Sequence, residues 1–252
     1  MSFDAFTQLI ARLRGPGGCP WDREQTHESL KPFLIEETYE VLEALDKADP
    51  AQLKEELGDL LLQVALHAQI AQETGNFNIQ DVIQGISDKL VRRHPHIFGD
   101  AQASDARQVI AHWEELKREE RGDGASILEG IPRQMPALAY SQALQHRAAR
   151  VGFEWPDLPA ILDKLAEEVQ EIKETISPER RLQEFGDLLF VLADSARWLG
   201  VDGEEALRQA NERFRRRFNH MEGACRSRGV ELSSLNLEAW TRLWEEAKET
   251  VG

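Results

Sequence analysis

Four short strings of acids hold the chemistry this sequence can do. Glu37 and Glu40 stand in EETYE (36–40), and Glu56 and Asp59 in EELGD (55–59). The same spacing returns as Glu168 and Glu171 in EEVQE (167–171), then Glu184 and Asp187 in QEFGD (183–187). An α-helix turns roughly 100° per residue, so residues three or four apart share a face. With Leu34 at zero, Thr38, Val41 and Leu45 form an apolar face, and Glu37 and Glu40 fall on its flank near roughly 300° and 240°. With Leu53 at zero, Leu57, Leu60 and Val64 form the face, and Glu56 and Asp59 take the same flank. Helices joined by a short loop pack antiparallel, so the acid pairs are expected to meet at the edge of one groove. Two carboxylates about 6 Å apart repel by about 3 kcal/mol at an effective dielectric near 20. A fourfold cluster therefore calls for a divalent cation, and an all-oxygen donor set suits Mg²⁺ or Mn²⁺ rather than zinc. A single E-E-x-x-E also reads as solvated helix surface; the repetition of the whole arrangement argues against that.

Around the acids stand basic and aromatic residues. Arg213 and Arg217 are spaced i,i+4, as are Lys89 and Arg93, and each pair reads either as a phosphate clamp or as an exposed basic helix end. Lys164 lies one turn before Glu168, whereas Phe33 holds that place before Glu37. A lysine there can balance phosphate charge; a phenylalanine packs in the core. Glu167 can orient a water or be plain surface. Gly58 and Gly186 fall inside helices, at a cost of about 1 kcal/mol against alanine, which predicts a close helix approach beside the acids. Trp21 and Trp155 are expected to be buried structural residues. In RRHPH (92–96) Pro95 predicts a helix stop rather than a metal site.

The elements that position these groups are written twice. GCPWD (18–22) is answered by GFEWP (152–156), EETYE by EEVQE, EELGDLLLQV (55–64) by QEFGDLLFVL (183–192), SDKLVRRH (87–94) by NERFRRRF (211–218), and WEELK (113–117) by WEEAK (244–248). The offsets are 134, 131, 128, 124 and 131, so only loop lengths drift. Apolar spacing near 3.6 and the absence of alternating runs predict an all-α chain of two tandem helical-bundle domains. The Gly- and Pro-rich stretch 121–136 predicts a linker between domains at 1–120 and 137–252.

Composition narrows the partners. A formal net charge of −15 over 252 residues disfavours nucleic acid and anionic membranes, so an anionic ligand needs local cations or a bound metal. No apolar run is long enough to span a membrane, the first residues lack a signal-peptide pattern, and two distant cysteines give no disulfide framework. A cytoplasmic location is expected. A di-iron bundle needs Glu-x-x-His pairs; Glu24 to His27, in a Pro-flanked loop, supplies one such string.

GCPWDREQTHESLKPFLIEETYEVLEAL (18–45), ELGDLLLQV (56–64) and RRHPHIF (92–98) closely resemble the two-domain bacterial form of the MazG family, within the all-α NTP pyrophosphatases. The resemblance covers essentially the whole chain. It implies Mg²⁺-dependent hydrolysis of a nucleoside triphosphate to monophosphate and pyrophosphate, in a homodimer. It also implies that the second domain is catalytic and the first structural or weakly active. By the same resemblance Glu168, Glu171, Glu184 and Asp187 are metal ligands; the internal repeat makes Glu37, Glu40, Glu56 and Asp59 a candidate second metal site. Lys164, Arg213, Arg217 and Trp244 meet the nucleotide. Lysine is frequent in the family where this chain has Arg213. A non-catalytic helical adaptor is the alternative reading.

Overall fold

The computed structural model describes residues 2–102, 105, 108–109, 112–113, 116, 124, 126–175 and 177–252. The chain divides into two compact units, Met1–Arg121 and Gly122–Gly252. Among the described residues every regular element is helical. Unit 1 contains α1 (Phe3–Arg14), α2 (Pro20–Glu24), α3 (Lys31–Asp46), α4 (Pro50–Glu73), α5 (Ile79–Arg93) and α6 (Pro95–Phe98). Unit 2 contains α7 (Ala137–Ala149), α8 (Leu158–Glu174), α9 (Pro178–Trp198), α10 (Gly203–Arg228), a 3₁₀ turn (Leu232–Ser234) and α11 (Leu237–Val251). Part of the stretch read as a linker, and Glu114, Glu115 and Lys117 of the fifth repeated string, lie outside the described residues. No described helix is long and apolar enough to cross a membrane.

Local chemistry sets the helix ends. Asp49 caps α4 by accepting from the backbone N–H groups of Ala51 and Gln52. Asp157 caps α8, Ser177 α9, Asp202 α10 and Asn236 α11 in the same way. These side chains satisfy N–H groups that have no partner within the helix. Pro95 stands where expected: α5 stops at Arg93 and the proline opens α6. α3 and α4 are joined by Lys47–Asp49, and α8 and α9 by residues 175–177, so each acid-bearing pair packs as a tight hairpin.

The register of those hairpins corrects the helical-wheel expectation. On α3 the inward side runs through Phe33, Glu37, Val41 and Ala44, continuing from Leu30; Thr38 and Leu45 are exposed. On α4 it runs through Glu56, Asp59, Gln63, Leu66 and Ile70, whereas Leu57 and Val64 are exposed. On α8, Ile161 and Glu168 are buried together. Glu37, Glu56, Asp59 and Glu168 therefore lie on the inward face rather than on its flank, while Asp187 is exposed. Of the residues expected on the apolar face, Leu34, Val41, Leu53 and Leu60 are half-buried, while Leu57 and Val64 belong to an outward stripe. That stripe is Leu57, Leu61 and Val64 on α4, and at an offset of 128 Phe185, Leu189 and Leu192 on α9, all exposed.

The described cores lie away from that stripe. In unit 1, Ile10, Leu30, Ala65, Leu66 and Ile70 cluster with Phe6, Phe33 and Leu62 against them. In unit 2, Met221, Cys225, Leu243 and Ala247 cluster with Trp240 and Trp244 against them. The two cysteines are free. Two further expectations fail. A Cβ built on Gly58 or Gly186 meets nothing within 4 Å, so no helix of the same unit explains either glycine. Trp21 is 52% exposed and makes an edge contact with Phe33 at 5.8 Å, because the short helix α2 lays it on the surface.

Candidate active site

In unit 2 the α8–α9 hairpin converges three carboxylates. Glu168, Glu171 and Glu184 each offer an oxygen within 4.8 Å of the other two. Glu168 is 3% exposed, and its Oε2 is buried without a hydrogen-bond partner. Its Oε1 meets Lys164, whose Nζ lies 2.8 Å away and also donates to Glu167 Oε1 at 2.7 Å. These two acids raise the Lys164 pKa above its ordinary value, Glu167 by the larger amount. Glu171 is raised above the ordinary carboxylate value by desolvation, then by Glu184 and Glu168. Asp187 is exposed one turn beyond Glu184 and does not join the three converging atoms.

Unit 1 builds a trio of different membership, Glu37, Glu56 and Asp59, again with ligand atoms within 4.8 Å. Glu40 is not in the trio but lies close enough to raise the Glu37 pKa. The Glu37 pKa is raised by desolvation first, then by Glu40 and Asp59, and partly restored by a hydrogen bond from Gln63. Gln63 is 5% exposed, and its Oε1 has no partner. No signal in the sequence marked Gln63, since a glutamine on a helix is usually surface. Phe33, where unit 2 has Lys164, packs against the core.

The donor set fits a hard divalent cation in both units. The ligands are carboxylates only, closely spaced, and in unit 2 one of them is buried with an oxygen unsatisfied. Among the described residues neither candidate group contains histidine. His27 meets His67 instead, Nδ1 to Nδ1 at 2.8 Å with the rings parallel within 4°. His67 was not singled out from the sequence.

The other residues singled out in unit 2 sit on α10 and α11. The Arg217 guanidinium lies 5.6 Å from the centre of the Trp244 ring, and its Nε donates to the Gly252 carbonyl at 3.3 Å. Trp244 also packs on Phe214, with ring centres 5.6 Å apart. Arg213, one turn before Arg217, is exposed. Trp155, half-buried, lines a separate cavity of about 830 Å³ with Phe153, Phe190 and Arg197.

The sequence profile of the MazG nucleotide pyrophosphohydrolase domain matches residues 25–98. The nucleoside triphosphate pyrophosphohydrolase/pyrophosphatase MazG of Thermotoga maritima is 46% identical over 247 residues, covering 98% of this chain and 95% of that protein. The chain belongs to the MazG family. The nucleoside triphosphate pyrophosphohydrolase of Escherichia coli K12 is similar at 45% identity over 253 residues, covering 97% of this chain and 96% of its own. An uncharacterized Bacillus subtilis protein, YabN, is 49% identical across 98% of this chain, which corresponds to 52% of that longer protein. The MazG profile covers Glu37, Glu40, Glu56 and Asp59 of unit 1. The acids of unit 2 lie outside residues 25–98 and correspond to those of unit 1 through the internal repeat.

Proposed function

We propose that this MazG-family chain is a nucleoside triphosphate pyrophosphohydrolase acting with Mg²⁺, for which Mn²⁺ can substitute. It converts a nucleoside triphosphate and water to a monophosphate and pyrophosphate by attack at the α-phosphorus. The observation that carries the reading is the unit 2 carboxylate trio with Lys164 on the same face of α8. The names of the full-length relatives support the reaction class.

Glu168, Glu171 and Glu184, with Asp187 one turn away, would hold the cation. Bound there, it would supply charge that stabilises the phosphates of the substrate. Lys164 exchanges its carboxylate partners for phosphate oxygens. Arg213 and Arg217 share a helix face and hold the outer phosphates, so the leaving pyrophosphate departs with its charge already compensated. Trp244 stands beside Arg217 to meet the nucleoside. Glu167 orients the attacking water once Lys164 has turned to phosphate. Unit 2 is the catalytic domain, and unit 1 is structural or weakly active, holding a second cation on Glu37, Glu56 and Asp59 with Glu40 alongside.

The chain works as a homodimer in the cytoplasm. The exposed stripes on α4 and α9 support the dimer, because continuous apolar faces of this kind mark contact surfaces. Hydrolysis in ¹⁸O-labelled water tests the reaction. Label in the monophosphate, with pyrophosphate as the other product, is expected; recovery of diphosphate plus orthophosphate would overturn it.

A further inference from the structure

The two acid trios are not held alike. In unit 2, Lys164 occupies Glu168 Oε1 at 2.8 Å and Glu167 Oε1 at 2.7 Å, while Glu168 Oε2 is buried and unpartnered. A cation drawn to this trio meets an ammonium at the innermost carboxylate. In unit 1, Phe33 takes the lysine's place and packs into the core, so Glu37 receives a neutral amide from Gln63 instead. Val191 stands where Gln63 would fall in unit 2, at the offset of 128. Gln63 is nine-tenths buried and directed at Glu37, with its own oxygen unpartnered. One unit thus meets its innermost acid with a displaceable charge, and the other with a fixed dipole that leaves the negative charge intact.

We infer that unit 1 keeps a divalent cation resident without nucleotide, whereas unit 2 takes one up only together with a triphosphate, because Lys164 holds Glu168 until phosphate draws it away. The inference rests on unit 2 being the triphosphate site. A unit charge about 5 Å from a divalent cation weakens its binding more than about tenfold even at the dielectric of water. A polyphosphate removes that penalty by giving the lysine another partner, so cation and triphosphate assist each other's binding reciprocally.

The test is a Mn²⁺ titration of the full chain followed by electron paramagnetic resonance. It is run first alone and then with a triphosphate bearing a non-hydrolysable α,β-methylene bridge. The parent is expected to bind one Mn²⁺ per chain alone, lost in Glu37→Gln, and a second only with the analogue, lost in Glu168→Gln. Lys164→Met is expected to bind the second Mn²⁺ without the analogue, at least about tenfold more tightly than the parent, while Lys164→Arg behaves as the parent. Circular dichroism confirms that each variant is folded. Two equally tight Mn²⁺ in the parent without analogue, none at all without it, or an unchanged second affinity in Lys164→Met would overturn the inference. Loss of triphosphate hydrolysis as a class of reaction would instead overturn the functional reading, and the titration separates the two.

Discussion

Replacing Glu168 by glutamine tests which unit works. The change keeps the volume and removes one negative charge from a position 3% exposed. A carboxylate about 2.1 Å from a divalent cation contributes a gross attraction of about 4 kcal/mol even at the dielectric of water. Burial makes that figure a lower bound. At 1.36 kcal/mol per tenfold, the rate should fall by at least about a thousandfold. The fold should survive. Glu168 faces one ammonium and two carboxylates, so neutralising it loses one attraction and relieves two repulsions. The assay is pyrophosphate release at saturating triphosphate and Mg²⁺, with thermal melting in parallel. Glu37→Gln, made beside it, should keep most of the parental rate. Retention of more than about a tenth of the rate in Glu168→Gln would refute the assignment to unit 2. A large loss confined to Glu37→Gln would transfer catalysis to unit 1. A collapse of the melting temperature with the rate would show that Glu168 supports the fold.

Activity should require Mg²⁺ or Mn²⁺ and vanish in excess EDTA; full turnover after exhaustive chelation would end the carboxylate-cation reading. Light scattering should give a mass near twice 28.7 kDa, and Leu189→Glu, in the exposed α9 stripe, should give monomers; an unchanged mass would remove the stripe from the interface. The Glu37 pKa is raised above 4.5 by desolvation first. Between the unfolded value and that raised value the native state binds more protons than the unfolded one, so falling pH stabilises it. Without divalent cation, the parent should therefore gain stability relative to Glu37→Gln as pH falls toward 4.5; a constant difference in melting temperature across that window would contradict the sign.

The sequence made the helical hairpins, the repeat and both acid clusters legible, because acids three residues apart and polar caps act over one helical turn. The facing of the helices was not legible. Leu57, Leu61 and Val64 contribute to apolar periodicity just as buried residues do, yet they point outward. A helix with one apolar side for its own core and another directed outward presents a blended pattern. Its centre then falls between the two, and the acids seemed to flank a face whose middle they occupy. Trp21 misled for a related reason: ring size predicts burial, but the short helix α2 gives it no interior to enter. Gln63 and His67 acquire their roles from partners distant in sequence, Glu37 and His27, and no local spacing announces them.

A chain that carries the same outward stripe twice faces a problem of symmetry. A stripe that meets its own kind about a two-fold axis closes on itself and leaves nothing to propagate. A stripe of unit 1 meeting a stripe of unit 2 on another copy would leave one of each uncovered, and such a head-to-tail match grows into a ring or a filament unless it closes. The side chains break the equivalence: Leu57 and Val64 on α4 correspond in the repeat to Phe185 and Leu192 on α9, each pair differing in bulk. Two surfaces descended from one pattern can then tell self from sibling by shape, and in the proposed dimer that difference would close the particle rather than extend a polymer.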